Sequence, residues 1–544
     1  MRRRDVLAGL SAASLRTASL GAASLGAAPF GAAVPARAAG PAAYRRGNGA
    51  DPETLDPHKT STLAEATILL DLYEGLSTYG PDGALMPGAA AGWTTSADGL
   101  TWTFALRPDG RWSNGDPVVA DDVVHGFRRM LDPATGAKYA SVLAPILNAE
   151  AVNRGAMPVD AVGVAAPDPG TVVIRLAQPT PYFAELMAHQ ASTPLHRPSL
   201  ARFGDAFTRP GNLVSNGAYL LKDFSPNDRI AAIRNPHHRD AAAIAIPRVE
   251  YIPTPDLAAA VRRFAAGEID SLEDLPADQV KALKARFGAG VILNPALGVL
   301  ALMVNVRKAP LGDARVRRAL SLALDREFLA DAVWGETMLP AYSLTPAGLD
   351  NALPPPTMPG RDLSPLERED AAVALLREAG YGPGGTPLAV ELRYNITDNN
   401  RNTMVAIADM WRPLNVATSF AATDAKTHFA YLRDGGPFDL ARMSWIADYA
   451  DPQNFLFLVE SGNDGFNSGH YANPAYDALM REAARETDLQ ARARILYRAE
   501  ELFLADLPWI PLLHYRHKHL IGPRLRGFQP NLRGVSPTRW LSLA

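Results

Sequence analysis

The hydrophobic patterning of this chain predicts an α/β fold, on three observations. Strand-like and helix-like stretches alternate from about Pro198 to the C terminus, and the first third is richer in strand patterns, as for a separate small domain. Beyond the leader no internal repeat or low-complexity tract appears. With 544 residues and 47% hydrophobic content, the chain can bury the cores of two or three domains.

Taken in order, residues 1–38 read as an export signal. Arg2, Arg3 and Arg4 precede a weakly apolar Ala/Gly/Leu/Ser run, and Ala36 and Ala38 form an A-x-A-like cleavage site. Arg3 to Leu7 (RRDVL) reads as a twin-arginine signal, and Arg16 and Pro29 make the run a poor membrane span. A helix is predicted from Ala64 to about Glu74, with Ile68, Leu69, Leu72 and Leu76 at helical spacing. Trp102, Phe104 and Leu106 alternate as on a half-buried strand, followed by a turn at Gly110. Ala120 to Leu131 is an amphipathic helix with Asp121 and Asp122 in its first turn. Thr171 to Leu176 is a strand, and a helix starts near Pro181.

Gly217–Phe224 and Arg229–Asn235 read as paired strands, Arg248–Thr254 as a strand, and the next stretch as a helix ending near Gly267. Ala301 to Val306 (ALMVNV) is apolar enough for a buried strand. Ala314 to Gly335 is predicted as one helix with Val316, Leu320, Leu324 and Phe328 on a stripe. Another starts at Ser364 and stops at Gly380. A strand (Ala389–Asn395), a helix (Asn402–Asn415) and a strand (Val416–Phe420) follow; two helices then span roughly Pro474 to Ala505, before a C-terminal strand around Trp509–Ile521.

Several chemistries are excluded. No cysteine is present, so disulfides, thiol catalysis, iron–sulfur clusters, cysteine zinc sites and acylation at cysteine are absent. A net charge of −3 argues against a nucleic-acid partner, and no later segment is apolar for long enough to cross a bilayer. Walker A, H-E-x-x-H and G-x-S-x-G motifs are missing. Gly380 to Gly385 (GYGPGG) matches a dinucleotide-binding string by letters but follows a helix and precedes a strand, the wrong order. His514 points away from His517 and His519 on a strand, so we read a solvated strand end rather than a metal site. His237 and His238 are turn residues, and His58 a cap or turn residue. No cofactor, metal or catalytic residue is expected, and the chain is not read as an enzyme.

Ala441 to Phe455 (ARMSWIADYADPQNF) is the most informative stretch. As a strand entering a polar turn, it puts Arg442, Ser444, Ile446 and Asp448 on one face, flanked by Trp445 and Tyr449. A cation and an anion six residues apart can grip a ligand bearing both charges, such as a peptide. The alternative is an ordinary surface strand whose Arg and Asp pair with neighbours.

Eight segments in order resemble the periplasmic oligopeptide-binding proteins of ABC transporters, extracellular solute-binding family 5. They are LDPHK from Leu55, DLYEGL from Asp71, WTFALRPDGRWSNGDPV from Trp102, NGAYLL from Asn216, GEID from Gly267, DARVRRALSLALDR from Asp313, LPAYSLTP from Leu339 and ARMSWIADYADP from Ala441. The resemblance implies a type II-like periplasmic binding protein with two lobes, a hinge and an inserted small domain. It divides the chain into 39–73 with 199–297 and 514–544, then 74–198, then 298–513. It implies that Asp448 pairs with a peptide's ammonium and Arg442 with its carboxylate. Main-chain groups around Ser444, Trp445 and Ile446, and around Ser61, Thr62 and Leu63, would bond the ligand backbone, with Tyr139 facing the cleft. Trp334 and Asn400 stand where members that clamp longer peptides carry a lysine and a histidine, which favours tripeptides. The implied protein is a monomeric periplasmic receptor that serves permease subunits without stable membrane insertion. A receptor for another polar solute or a metal chelate, and an exported hydrolase, are the alternatives.

Overall fold

The protein is described here as a computed structural model covering residues 43–544; the expected leader lies outside the described residues. Its main feature is an eleven-stranded mixed sheet organised by two long antiparallel strands, Val291–Val304 and Trp509–Ile521. The first explains itself from sequence. Val299, Ala301 and Met303 face one apolar cluster, and the alternate Leu300, Leu302 and Val304 face another. A strand covered on both sides must be apolar at every position, hence VLALMV.

One lobe forms where this strand pairs with Leu440–Ile446, followed by the parallel strands Leu388–Asn395 and Val416–Thr423. Helices Ala314–Leu322, Pro365–Glu378 and Asp398–Trp411 cover one face, and Pro474–Ala483 and Leu489–Asp506 the other. The other lobe attaches at the far end of Trp509–Ile521, through Ser271–Leu272, then Ala43–Gly47, Arg248–Ile252, Arg229–Arg234 and Tyr219–Ser225. Between the lobes the sheet narrows to two strands, over the four pairs from Ile292–His519 to Pro295–Arg516. A four-stranded sheet within residues 90–175 packs on helix Ala120–Leu131 around its own core of Phe104, Phe127 and Ile174.

Two expectations need correction. The long helix predicted from Ala314 to Gly335 breaks at Ala323: Asp325 accepts a hydrogen bond from the Phe328 N–H (2.8 Å) and so caps a new start. A wider turn over Leu329–Val333 follows, and Phe328 lies 48% exposed, off the stripe. The histidines of Trp509–Ile521 are not a solvated end. This strand runs through the centre of the sheet, so His514 and His519 are buried. The His514 and His517 rings hydrogen-bond the Ser343 and Leu532 carbonyls, and burial pulls His514 down to about 4. His58 and His238 are also buried, His58 beside Arg129 at 2.9 Å. Gly380, at φ 87°, stops its helix as expected.

Candidate functional site

Helix Leu63–Leu72 supplies one wall of the site. Its start, T-L-A-E, forms a capping box: Thr62 Oγ1 accepts from the Glu65 N–H, and the Glu65 carboxylate accepts from the Ser61 and Thr62 amides at 2.8 and 2.9 Å. Those two amides, expected to bond a ligand backbone, are therefore already engaged by Glu65. Leu63 is exposed above them.

The opposite wall comes from the turn after strand Leu440–Ile446. The Ala447 N–H bonds the Leu297 carbonyl (2.8 Å), which fixes where the strand leaves the sheet. Asp448 then opens into a cavity of about 230 Å³ that also touches Ser61, Thr62, Leu63 and Tyr139. Its carboxylate has no hydrogen-bond or ion-pair partner among the described residues, and partial burial pushes its pKa up. Tyr139 is raised too, by burial first and then by the Asp448 charge. The His189 ring lies 5.2 Å from that of Tyr139; burial lowers it to about 4, so it adds no positive charge at neutral pH.

Arg442 does not line this cavity. It is buried on the strand, donates to the Tyr515 hydroxyl at 3.2 Å, and leaves Nε unpaired. Burial lowers its pKa, with Tyr515 opposing, and no carboxylate lies within ion-pair distance among the described residues. Ile446, 57% exposed, covers Gly298, where a Cβ would come within 2.5 Å of Ile446 Cδ1. Ser444, Ile446 and Arg442 pair in register with Leu300, Gly298 and Leu302. The Trp445 side chain turns the other way, donating to Asn454 (2.8 Å) and packing against Phe457 and Phe466. The Trp334 indole donates to Thr403, and Asn400 is buried with its amide on Asn395. Ser61, Thr62, Leu63, Tyr139 and Asp448 are thus brought together. Arg442, Ser444, Trp445, Ile446, Trp334 and Asn400 lie outside the cavity.

Three charged residues of the cavity went unread in the sequence: Arg46, which pairs with Glu273 at 3.0 Å, Glu185 and Arg533. Arg533 donates from Nε to Glu185 (2.6 Å) and also pairs with Asp350, while the Ala450 N–H donates to Glu185 at 3.1 Å. Tyr182 stacks on Tyr449 at 4.0 Å. Glu185 and Arg533 are 348 residues apart, so no local pattern signals them. Every charge in this seam is matched; those of Asp448 and Arg442 are not.

The chain matches the family model of bacterial extracellular solute-binding proteins, family 5, over residues 84–467. It is 36% identical to the periplasmic oligopeptide-binding protein OppA of Escherichia coli (strain K12), over 89% of each chain. Its structure superposes on the unliganded open form of the periplasmic murein tripeptide-binding protein MppA with a TM-score of 0.84 at 34% identity, covering 92% of this chain and 97% of the other. Against Haemophilus influenzae OppA in complex with the peptide RPPGFSPFR the TM-score is 0.72 at 33% identity, covering 92% and 98%. Sequence distance is nearly equal in the two structural comparisons, and the fit to the unliganded open form is the better of the two. No helix among the described residues is long and apolar enough to cross a membrane.

Proposed function

This chain belongs to family 5 of the bacterial extracellular solute-binding proteins, and on that premise we propose that its solute is a short peptide, gripped between the lobes and delivered to an ABC permease. One observation carries the reading. Asp448 and Arg442, on one strand and its turn, are an anion and a cation without ionic partners among the described residues. Arg442 is already buried, closing the lobes would bury Asp448 as well, and a buried charge needs a partner. A peptide's ammonium and carboxylate supply the two. Main-chain contacts and water-filled side-chain pockets then leave ligand sequence free. Trp334 and Asn400 offer no cation for a more distant carboxylate, which favours tripeptides.

We extend the reading to a monomer that binds without turnover in the periplasm, exported by the twin-arginine route through Arg3 to Leu7. The division into 39–73 with 199–297 and 514–544, 74–198, and 298–513 is supported by apolar cores around Phe104, Tyr219 and Leu302, although the Tyr219 core also takes in Trp112, Val118 and Leu195 from 74–198. Calorimetry with trialanine, N-acetyl-trialanine and trialanine amide tests the proposal. One-to-one binding of trialanine is expected, with about tenfold or greater weakening for each blocked terminus, and no cleavage product. Equal affinity for free and N-acetylated peptide would overturn the role of Asp448, and product formation would favour a hydrolase.

A further inference from the structure

A second pocket, of about 260 Å³, shares no residue with the cleft cavity. It lies between helices Ala314–Leu322 and Pro365–Glu378 and the end of Leu489–Asp506. Leu322, Met358, Leu363, Leu375, Leu504 and Leu507 make its wall apolar, and no carboxylate among the described residues lines it.

Two arginines give this apolar space a positive field. Arg318 is exposed at the rim. Its Nε donates to the Ala505 carbonyl at 2.8 Å, which fixes the guanidinium, while its terminal nitrogens make no hydrogen bond among the described residues. Arg326 lies beneath the wall, 1% exposed. It donates to the Pro511 and Ser321 carbonyls and to Ser321 Oγ at 2.9–3.0 Å, and Ser321 Oγ in turn donates to Met358 Sδ at 3.1 Å. Ser321 and Met358 thus face both the pocket and the buried cation. Among the described residues only neutral atoms receive the Arg326 hydrogen bonds, and burial pulls its pKa down to about 10. Glu327 and the Tyr342 ring, 5.2 Å from the guanidinium, support this charge without hydrogen-bonding it among the described residues, and a further anion nearby would offset more of the cost of its burial.

We propose that this pocket is a second binding site, for an amphipathic monocarboxylate: hydrocarbon chain against the leucine wall, carboxylate on Arg318 and within the field of Arg326. The free volume is smaller than that of pockets that hold drug-sized molecules, roughly 300–1,000 Å³, so one short alkyl chain fits it better than a sterol. The site does not depend on what the cleft binds.

Calorimetry with octanoate and octylamine tests it on the whole protein. Octanoate is expected to bind once per chain, and octylamine about tenfold or more weakly. Arg318→Gln should weaken octanoate by a similar factor, and Leu363→Trp, at an exposed wall position, should abolish binding by filling the pocket. Both variants should keep the parent melting temperature and trialanine affinity. Equal binding of octylamine, unchanged octanoate affinity in both variants, or displacement of octanoate by trialanine would each overturn the proposal.

Discussion

Asp448 and Asp451 sit three residues apart on one turn and have opposite circumstances. Asp451 is 0% exposed and receives both terminal nitrogens of Arg492, itself 2% exposed, at 2.8 and 2.9 Å. Asp448 faces the cleft with no partner among the described residues. Glu500 stands between these cases: buried, it accepts from the Leu344 and Thr345 amides and the Thr345 hydroxyl but from no cation among the described residues, and burial lifts it to about 7. A carboxylate matched inside the molecule holds structure. One left unmatched in a cleft is set for something that arrives.

The contrast can be broken at its strongest point first. Arg492→Leu leaves Asp451 buried and unpaired, and denaturant unfolding should show a loss of about 3–5 kcal/mol. Asp448→Ala should leave unfolding nearly unchanged but weaken trialanine by about 3 kcal/mol, a hundredfold or more by calorimetry. A stability loss as large as that of Arg492→Leu would dissolve the distinction. Glu500 sharpens it through pH. The folded state keeps a proton that the unfolded chain releases above its ordinary value of 4.5, so the unfolding free energy should fall as pH rises from about 4.5 to 7 and level beyond. The shift corresponds to roughly 3 kcal/mol as an upper figure, and Glu500→Gln should flatten that part of the profile. Smallest is Tyr515→Phe: Arg442 loses its one side-chain acceptor among the described residues, and trialanine affinity should change by about 0.5–1.5 kcal/mol.

The regular elements were legible because their patterns are local. Helix Ala120–Leu131 is found as read, and the alternation of Trp102, Phe104 and Leu106 matches their burial. Where two local signals compete, reading by periodicity fails. The apolar stripe of Ala314–Gly335 continues, but Asp325 offers the backbone a cap and breaks the helix. The T-L-A-E box at Thr62 was readable from sequence alone and would have revealed that the Ser61 and Thr62 amides were engaged. Helix Ala425–Arg433, opened by Asp424 accepting from the Thr427 N–H, carries a similar cap signal and was not predicted. Asp448 and Arg442 stood out because strand geometry relates them, yet only Asp448 of the two reaches the cavity. Glu185 and Arg533 meet only through the fold, and the burial of Asn400 and the inward turn of Trp445 depend on neighbours that no short window contains.

The narrow ribbon from Ile292–His519 to Pro295–Arg516 has a mechanical corollary. Two-stranded ribbons twist more freely than wide sheets, and here torsion need not disturb the packing of either lobe. The gape of the jaws then behaves as the angle of a torsion bar: a guest's length is felt as rotation shared over a few peptide units, and the jaws can shut on guests of unequal size as rigid bodies.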